Sequence, residues 1–158
     1  MTIDQVQIRK AIAADIPVLF EIRTAVTENA MTEADLAASG ITPERSEELL
    51  RTEGRCWVAE AGKPVVGFCI ANSKTRSIWA LFVLPAYEGR GIGRRLTKTA
   101  VDWLWQNGAE EIWLETETNT RAEGFYEHLG RRRGEVVIKD GYEEVRYTLK
   151  KSISPSLD

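Results

Sequence analysis

The sequence predicts an α/β fold, a single domain with a mixed central sheet of about six or seven strands flanked by helices. Three observations carry that prediction. Apolar residues alternate at period two in several short runs and recur at helical spacing in segments between them. A glycine-rich turn, 88–94, stands between one such strand and one such helix. The 158 residues, 43% of them hydrophobic, suffice for one core and leave little room for a second domain.

The elements follow in order. Val6 to Arg9 alternates as a short strand, and Asp15 then caps a helix that tolerates Pro17 in its first turn and carries the stripe Ile16, Leu19, Phe20 and Val26. From Asn29 to Glu53 the pattern is less regular. Thr32 and the Thr42-Pro43 pair start two short helices there, broken at Gly40, and the segment reads as a mobile flap. Cys56 to Ala59, Val65 to Ala71 and Ile78 to Leu84 are β-rich runs separated by Gly62-Lys63-Pro64 and by the polar turn Asn72 to Thr75, the pattern of an antiparallel meander.

After the glycine-rich turn, Ile92, Leu96, Ala100, Trp103 and Leu104 recur at helical spacing until Asn107-Gly108 supplies a left-handed stop. Ile112 to Thr116 is the next strand. Thr120 and Glu123 form a capping box before a helix whose face is Ala122, Phe125, Tyr126 and Leu129, ending at Gly130. Glu135 to Ile138 and Glu144 to Leu149 close the fold as a hairpin around Asp140-Gly141. The domain therefore covers 1–151, and 152–158 is a frayed tail.

Composition narrows the function classes. The formal charge is -3, so no global positive field draws the chain to nucleic acid or to an anionic membrane. No run approaches the ~20 apolar residues of a membrane span, and Asp4, Gln5 and Gln7 interrupt any signal-peptide core, so a cytoplasmic location is expected. Cys56 and Cys69 lack zinc-ligand spacing and read as buried free thiols, with no metal site. Arg131 to Arg133 reads as a solvated loop after a helix end, with a phosphate contact as its functional alternative.

The turn 88–94 carries the chemistry. The first turn of a helix has unpaired N–H groups and a partial positive charge, and glycines without Cβ let a diphosphate approach those donors. Arg90 and Arg94 add charge, while Gly89, Gly91, Ile92 and Gly93 supply backbone. No Lys-Ser or Lys-Thr follows the last glycine, which argues against an NTP-binding P-loop. The preceding strand comes late in the chain, which argues against a dinucleotide fold.

Glu88-Gly89-Arg90-Gly91-Ile92-Gly93 resembles the Q/R-x-x-G-x-G/A signature of the GCN5-related N-acetyltransferase superfamily, with Glu88 in place of the usual Gln or Arg. Asn119 to Gly130, reading NTRAEGFYEHLG, resembles the family's second cofactor motif, N-x-x-A-x-x-F-Y-x-x-x-G-F, with Arg131 in place of its final Phe. The two motifs stand in the family's order, and the resemblance covers nearly the whole chain.

The resemblance implies acetyl-coenzyme A as co-substrate, its pyrophosphate on the glycine turn and its pantetheine arm along the backbone of Leu81, Phe82 and Val83. Asn119 would lie beside the pantetheine or adenosine, although a helix cap explains it equally well. Tyr126 would return a proton to the departing thiolate, a role that suits a phenol with an ordinary pKa of about 10; without the motif it reads as a core aromatic. Glu88 is expected to point outward or toward a neighbouring Arg.

Glu115 and Glu117 are candidate bases for the attacking amine, with a surface position as the alternative for each. Alternation puts Glu115 on the face of Trp113 and leaves open which face meets the cleft. His128, the single histidine, is given no catalytic role, and Trp79 stands out from the other tryptophans as a candidate border of the acceptor pocket.

The implied reaction is direct acetyl transfer to a primary amine of a small molecule, with a peptide N-terminus or protein lysine as the alternative acceptor. A non-catalytic acyl-coenzyme A sensor is the alternative from another class. The acids Glu28, Glu33, Asp35, Glu44, Glu47 and Glu48 suit a cationic amine, with the solvated faces of two exposed helices as the alternative explanation of the same count. Family habit also implies a homodimer through the final strands.

Overall fold

The structure is a computed structural model that describes residues 5–25, 32–38, 40–117, 132–139 and 142–151. Its strands are β1 (Val6–Lys10), β2 (Gly54–Ala61), β3 (Val65–Asn72), β4 (Ser77–Val83), β5 (Glu111–Glu117), β6 (Arg132–Lys139) and β7 (Tyr142–Lys150). Its helices are α1 (Ile16–Ala25), α2 (Glu33–Ala38), α3 (Pro43–Thr52) and α4 (Ile92–Gln106). The strands form one seven-stranded sheet in the order β1-β2-β3-β4-β5-β7-β6, antiparallel throughout except where β4 meets β5. The mixed sheet, the meander and the closing β6–β7 hairpin agree with the sequence pattern.

Each face of the sheet has its own core. Ile92, Leu96, Ala100 and Leu104, on one side of α4, pack on Ala59, Val66, Cys69, Ala71, Ile78 and, beyond the meander, Ile112, Leu114, Val145 and Tyr147. Each fully buried leucine of that stripe contributes about 2 kcal/mol of transfer free energy. On the other face Leu19 and Ile22 of α1 pack against Cys56, Val58 and Phe68, with Leu50 of α3 at the margin. The stripe predicted for α1 is thus partly corrected: Ile16 and Leu19 are buried as expected, but Ile22 is the third buried position and Phe20 is only half-buried. Val26 lies outside the described residues.

The start of α1 also differs from expectation. Ala13–Asp15 forms a 3-10 turn, and the Asp15 carboxylate accepts from the Ile12 N–H at 2.8 Å instead of capping the helix that follows. It is held by Arg9 of β1 through two bonds of 2.9 Å, and Arg9 also reaches Glu60 of β2 at 3.1 Å. The guanidinium bonds hold the Asp15 carboxyl below its ordinary range, against the opposing effect of burial. The Thr42 cap is as predicted, its hydroxyl accepting from the Arg45 N–H. Arg132 and Arg133, expected in a loop, open β6.

One irregularity shapes β4. Ile70 pairs with Ala80 and Ala71 with Ile78, so Trp79 is an extra residue bulged out of the ladder. The bulge shifts the side-chain parity. Ile78 and Leu81, three residues apart, both join the α4 core, while Ala80 and Phe82 face α1.

Candidate functional site

β4 is paired along its whole length with β3, but on its other edge the register with β5 has a single pair, Ser77↔Trp113. Among the described residues no strand pairs with the β5-side edge from Ile78 to Val83. The parallel strands thus part toward their C-terminal ends, the end from which the chain runs into α4. A backbone edge open in this way accepts an extended ligand as another strand would be accepted. Leu81, Phe82 and Val83 lie on it, half-buried.

The chain leaves β4 through a short 3-10 turn, Pro85–Tyr87, closed by the Tyr87 N–H donating to the Leu84 carbonyl at 2.8 Å. Gly89 (φ +76°) and Gly91 (φ +83°) then take the left-handed conformation that an L side chain rarely adopts. Gly91 is the cap of α4, and no side chain caps that end among the described residues. The first intrahelical bond runs from the Arg95 N–H to the Gly91 carbonyl, so the N–H groups of Ile92, Gly93 and Arg94 have no intrahelical acceptor. A Cβ at Gly91 would meet nothing within 4 Å, so the space beside this residue is open.

The charges at this helix start are the reverse of what an isolated helix favours. The first turn holds no acid, and Arg94 and Arg95 sit exposed at the positive end of the dipole. Arg90 adds a third cation, its guanidinium 5.2 Å from the Tyr87 ring. An anion at the open N–H groups relieves that arrangement, and a diphosphate matches its donors and charge. Glu88 is half-buried with extended backbone beside the cradle.

Across the opening, Ile112 and Leu114 point into the α4 core, which turns Trp113 and Glu115 to the opposite face. Trp113 and Glu115 share a face, as alternation predicted. The Glu115 carboxylate accepts from Arg146 of β7 at 3.1 Å, and the Arg146 guanidinium lies 3.9 Å from the Trp113 ring centre. The Ser77↔Trp113 register brings Trp79, 43% exposed at its bulge, to about the level of Glu115. The sequence gives no signal for the Arg146 partnership, because it depends on the β5–β7 register.

Other predicted residues fall into place less evenly. Cys56 and Cys69 are buried free thiols, as expected, and burial pushes the Cys56 thiol up to about 12 and raises Cys69 as well, so neither is a ready nucleophile. Two of the acids read as favouring a cationic amine are engaged within their own helices. The Asp35 carboxylate accepts from the Thr32 N–H at 2.9 Å, and Glu48 pairs with Arg45. Asn119, Tyr126 and His128 lie outside the described residues, as does Glu28. No helix of the described residues is long and apolar enough to cross a membrane.

Comparison with known proteins gives a consistent picture. Residues 19–130 match the acetyltransferase (GNAT) family. The chain is 40% identical over 62 residues to a mycothiol acetyltransferase of Beutenbergia cavernae, covering 39% of this chain and 21% of that protein. It is 38% identical over 73 residues to N-alpha-acetyltransferase 30 of Schizosaccharomyces pombe, covering 44% of this chain and 49% of that protein. The matched segments thus span less than half the length of these two relatives. In structure the chain resembles the PaiA N-acetyltransferase of Thermoplasma acidophilum, solved with coenzyme A, at a TM-score of 0.75 and 18% identity over 92% of this chain and 99% of that one.

Proposed function

This chain belongs to the acetyltransferase (GNAT) family, and we propose that it moves an acetyl group from acetyl-coenzyme A directly to a primary amine. The observation that carries the reading is the left-handed Gly91 opening α4 at the end of a strand whose edge from Ile78 to Val83 is unpaired among the described residues. The N–H groups of Ile92, Gly93 and Arg94 would hold the pyrophosphate, with Gly89 giving the turn its shape and Arg90 and Arg94 adding charge. Leu81, Phe82 and Val83 would pair with the pantetheine arm and so fix the thioester beside β4. Asn119 is assigned to the same cofactor.

Transfer then needs alignment and two proton movements. The amine nitrogen bonds to the thioester carbonyl carbon, the carbon–sulfur bond breaks, and the thiolate takes a proton from Tyr126. The proton lost by the amine passes to Glu115, directly or through water. No acyl-enzyme on Cys56 or Cys69 enters the scheme, since both thiols are buried and held protonated.

The acceptor we propose is a small-molecule amine, reached past Trp79, with a peptide N-terminus or protein lysine as the alternative. The relatives' own names differ on this point, one naming mycothiol and the other an N-alpha-acetyltransferase. Thiol release from acetyl-coenzyme A, followed over small amines and over peptides, separates the readings. Turnover with small amines is expected, and Tyr126→Phe should lower it at least tenfold with cofactor affinity nearly intact. Turnover with peptides alone would move the acceptor to the alternative, and tight cofactor binding without turnover for any amine would favour a sensor.

A further inference from the structure

We propose that the acceptor is an α-amino acid, its carboxylate held by the outer fork of the Arg146 guanidinium and its side chain laid against Trp79. The inference rests on the acetyl-transfer reading for the reaction and goes beyond it in assigning the acceptor a second charged group.

Arg146 is fixed from three sides. Its neighbours Val145 and Tyr147 point into the α4 core, so Arg146 stands on the other face of the sheet with Trp113 and its register partner Glu115. The Trp113 indole N–H donates to the Thr75 carbonyl at 3.0 Å, which pins the ring to the turn before β4. The guanidinium lies 3.9 Å from the centre of that ring. Its Nε and Nη2 both donate to Oε2 of Glu115, at 3.4 and 3.1 Å. These contacts occupy the plane and the inner fork. Nη1 and the second hydrogen of Nη2 have no acceptor among the described residues, and the side chain is 48% exposed. Glu144, two residues earlier on that face, is not a partner of this guanidinium.

Two parallel N–H donors in one plane match a carboxylate bidentately. A guanidinium already ordered by an indole and a glutamate loses little freedom when it binds one. A phosphate dianion would instead set two negative charges beside Glu115. Glu115, the base proposed for the amine, is the direct neighbour of the fork, so amine and carboxylate of one acceptor lie only a few bonds apart, as in an α-amino acid. Trp79, exposed at its bulge at about the level of Glu115, supplies an apolar wall for the side chain. A second cation faces the same side of the opening: Arg23 of α1 lies 4.4 Å from the ring centre of Phe82, further along β4. A polyamine would meet like charge at both.

The test compares acids with their amides in the unmodified chain. L-leucine and L-phenylalanine should each give a kcat/KM for thiol release about tenfold above that of leucinamide and phenylalaninamide, most of it in KM, as expected for a charge-assisted bidentate pair. The amide keeps the amine and the side chain and removes only the charge. Its amine loses a proton more readily, so a preference for the acid cannot come from amine reactivity. In Arg146→Gln the ratio of acid to amide should fall to about one, and Arg146→Lys, which keeps the charge without the fork, should fall between. The ratio cancels any effect that reaches both acceptors through Glu115.

Calorimetric titration of L-leucine and leucinamide into the chain with coenzyme A reads the same fork without turnover. Thiol release at equal rates for acids and amides would overturn the proposal and leave acetyl transfer standing. So would an acid preference that survives in a folded Arg146→Gln protein. Tighter binding of leucine than of leucinamide, lost in Arg146→Gln but without thiol release from any amine, would uphold the fork and remove the transfer reading. Equal binding without thiol release would overturn both.

Discussion

The start of α4 and the outward face of β5 and β7 lie on either side of the β4–β5 opening, and they are built from different materials. The first is backbone: a left-handed glycine, three donors ahead of the first helical bond, and cations left exposed around them. The second is side chains: Trp113, Glu115 and Arg146, brought together only by pairing between strands 31 residues apart. Donor binding on this account is a local property of a turn. Acceptor chemistry, if Glu115 is the base as proposed, is a property of register, and a few substitutions would change it without touching the turn.

That difference predicts separable effects, the largest on turnover. Glu115→Gln should reduce turnover by roughly a hundredfold and remove the acid limb of its pH profile while leaving acetyl-coenzyme A affinity unchanged. Steady-state rates with parallel binding titrations measure both, and an unchanged acid limb would take the base role from Glu115.

A smaller effect concerns the frame that holds both sites. The Asp15 carboxyl sits below its ordinary range in the fold, through its bonds with Arg9. Its contribution is therefore fully present above the unfolded value of about 3.9 and is lost as pH falls through the lower folded value. Asp15→Asn should cost about 2 kcal/mol at neutral pH, the worth of hydrogen bonds to a charged partner. The difference between variant and parent in chemical denaturation should shrink as the medium is acidified; a constant difference would mean that the pair does not titrate with folding.

The smallest effect belongs to a single cation. Arg94→Ala should weaken cofactor binding about threefold at low salt, and the loss should fade as salt screens it. A salt-independent loss would point to packing instead.

How much of this was legible beforehand follows the same division. Gly91, Ile92 and the stop at Gly108 announce α4 because turn and helix chemistry is written in adjacent residues. The meander and the Thr42 cap were legible for the same reason. The Trp79 bulge was not, since it needs two strands to be seen as an extra residue. Nor was the clasp of Arg9 on Asp15 and Glu60, which spans β1, β2 and the turn before α1. Alternation put Glu115 with Trp113 but left open which face they take, and the α4 core decides it by claiming Ile112 and Leu114.

The most direct test of the central claim is a calorimetric titration of acetyl-coenzyme A into Gly91→Val and Glu115→Gln beside the unmodified chain. A β-branched residue at φ +83° is strained by about 1–2 kcal/mol and carries its methyls into the open space beside this turn. The account predicts at least a tenfold loss of affinity for Gly91→Val, with the fold intact by circular dichroism, and no loss for Glu115→Gln. Full affinity in a folded Gly91→Val protein would contradict it.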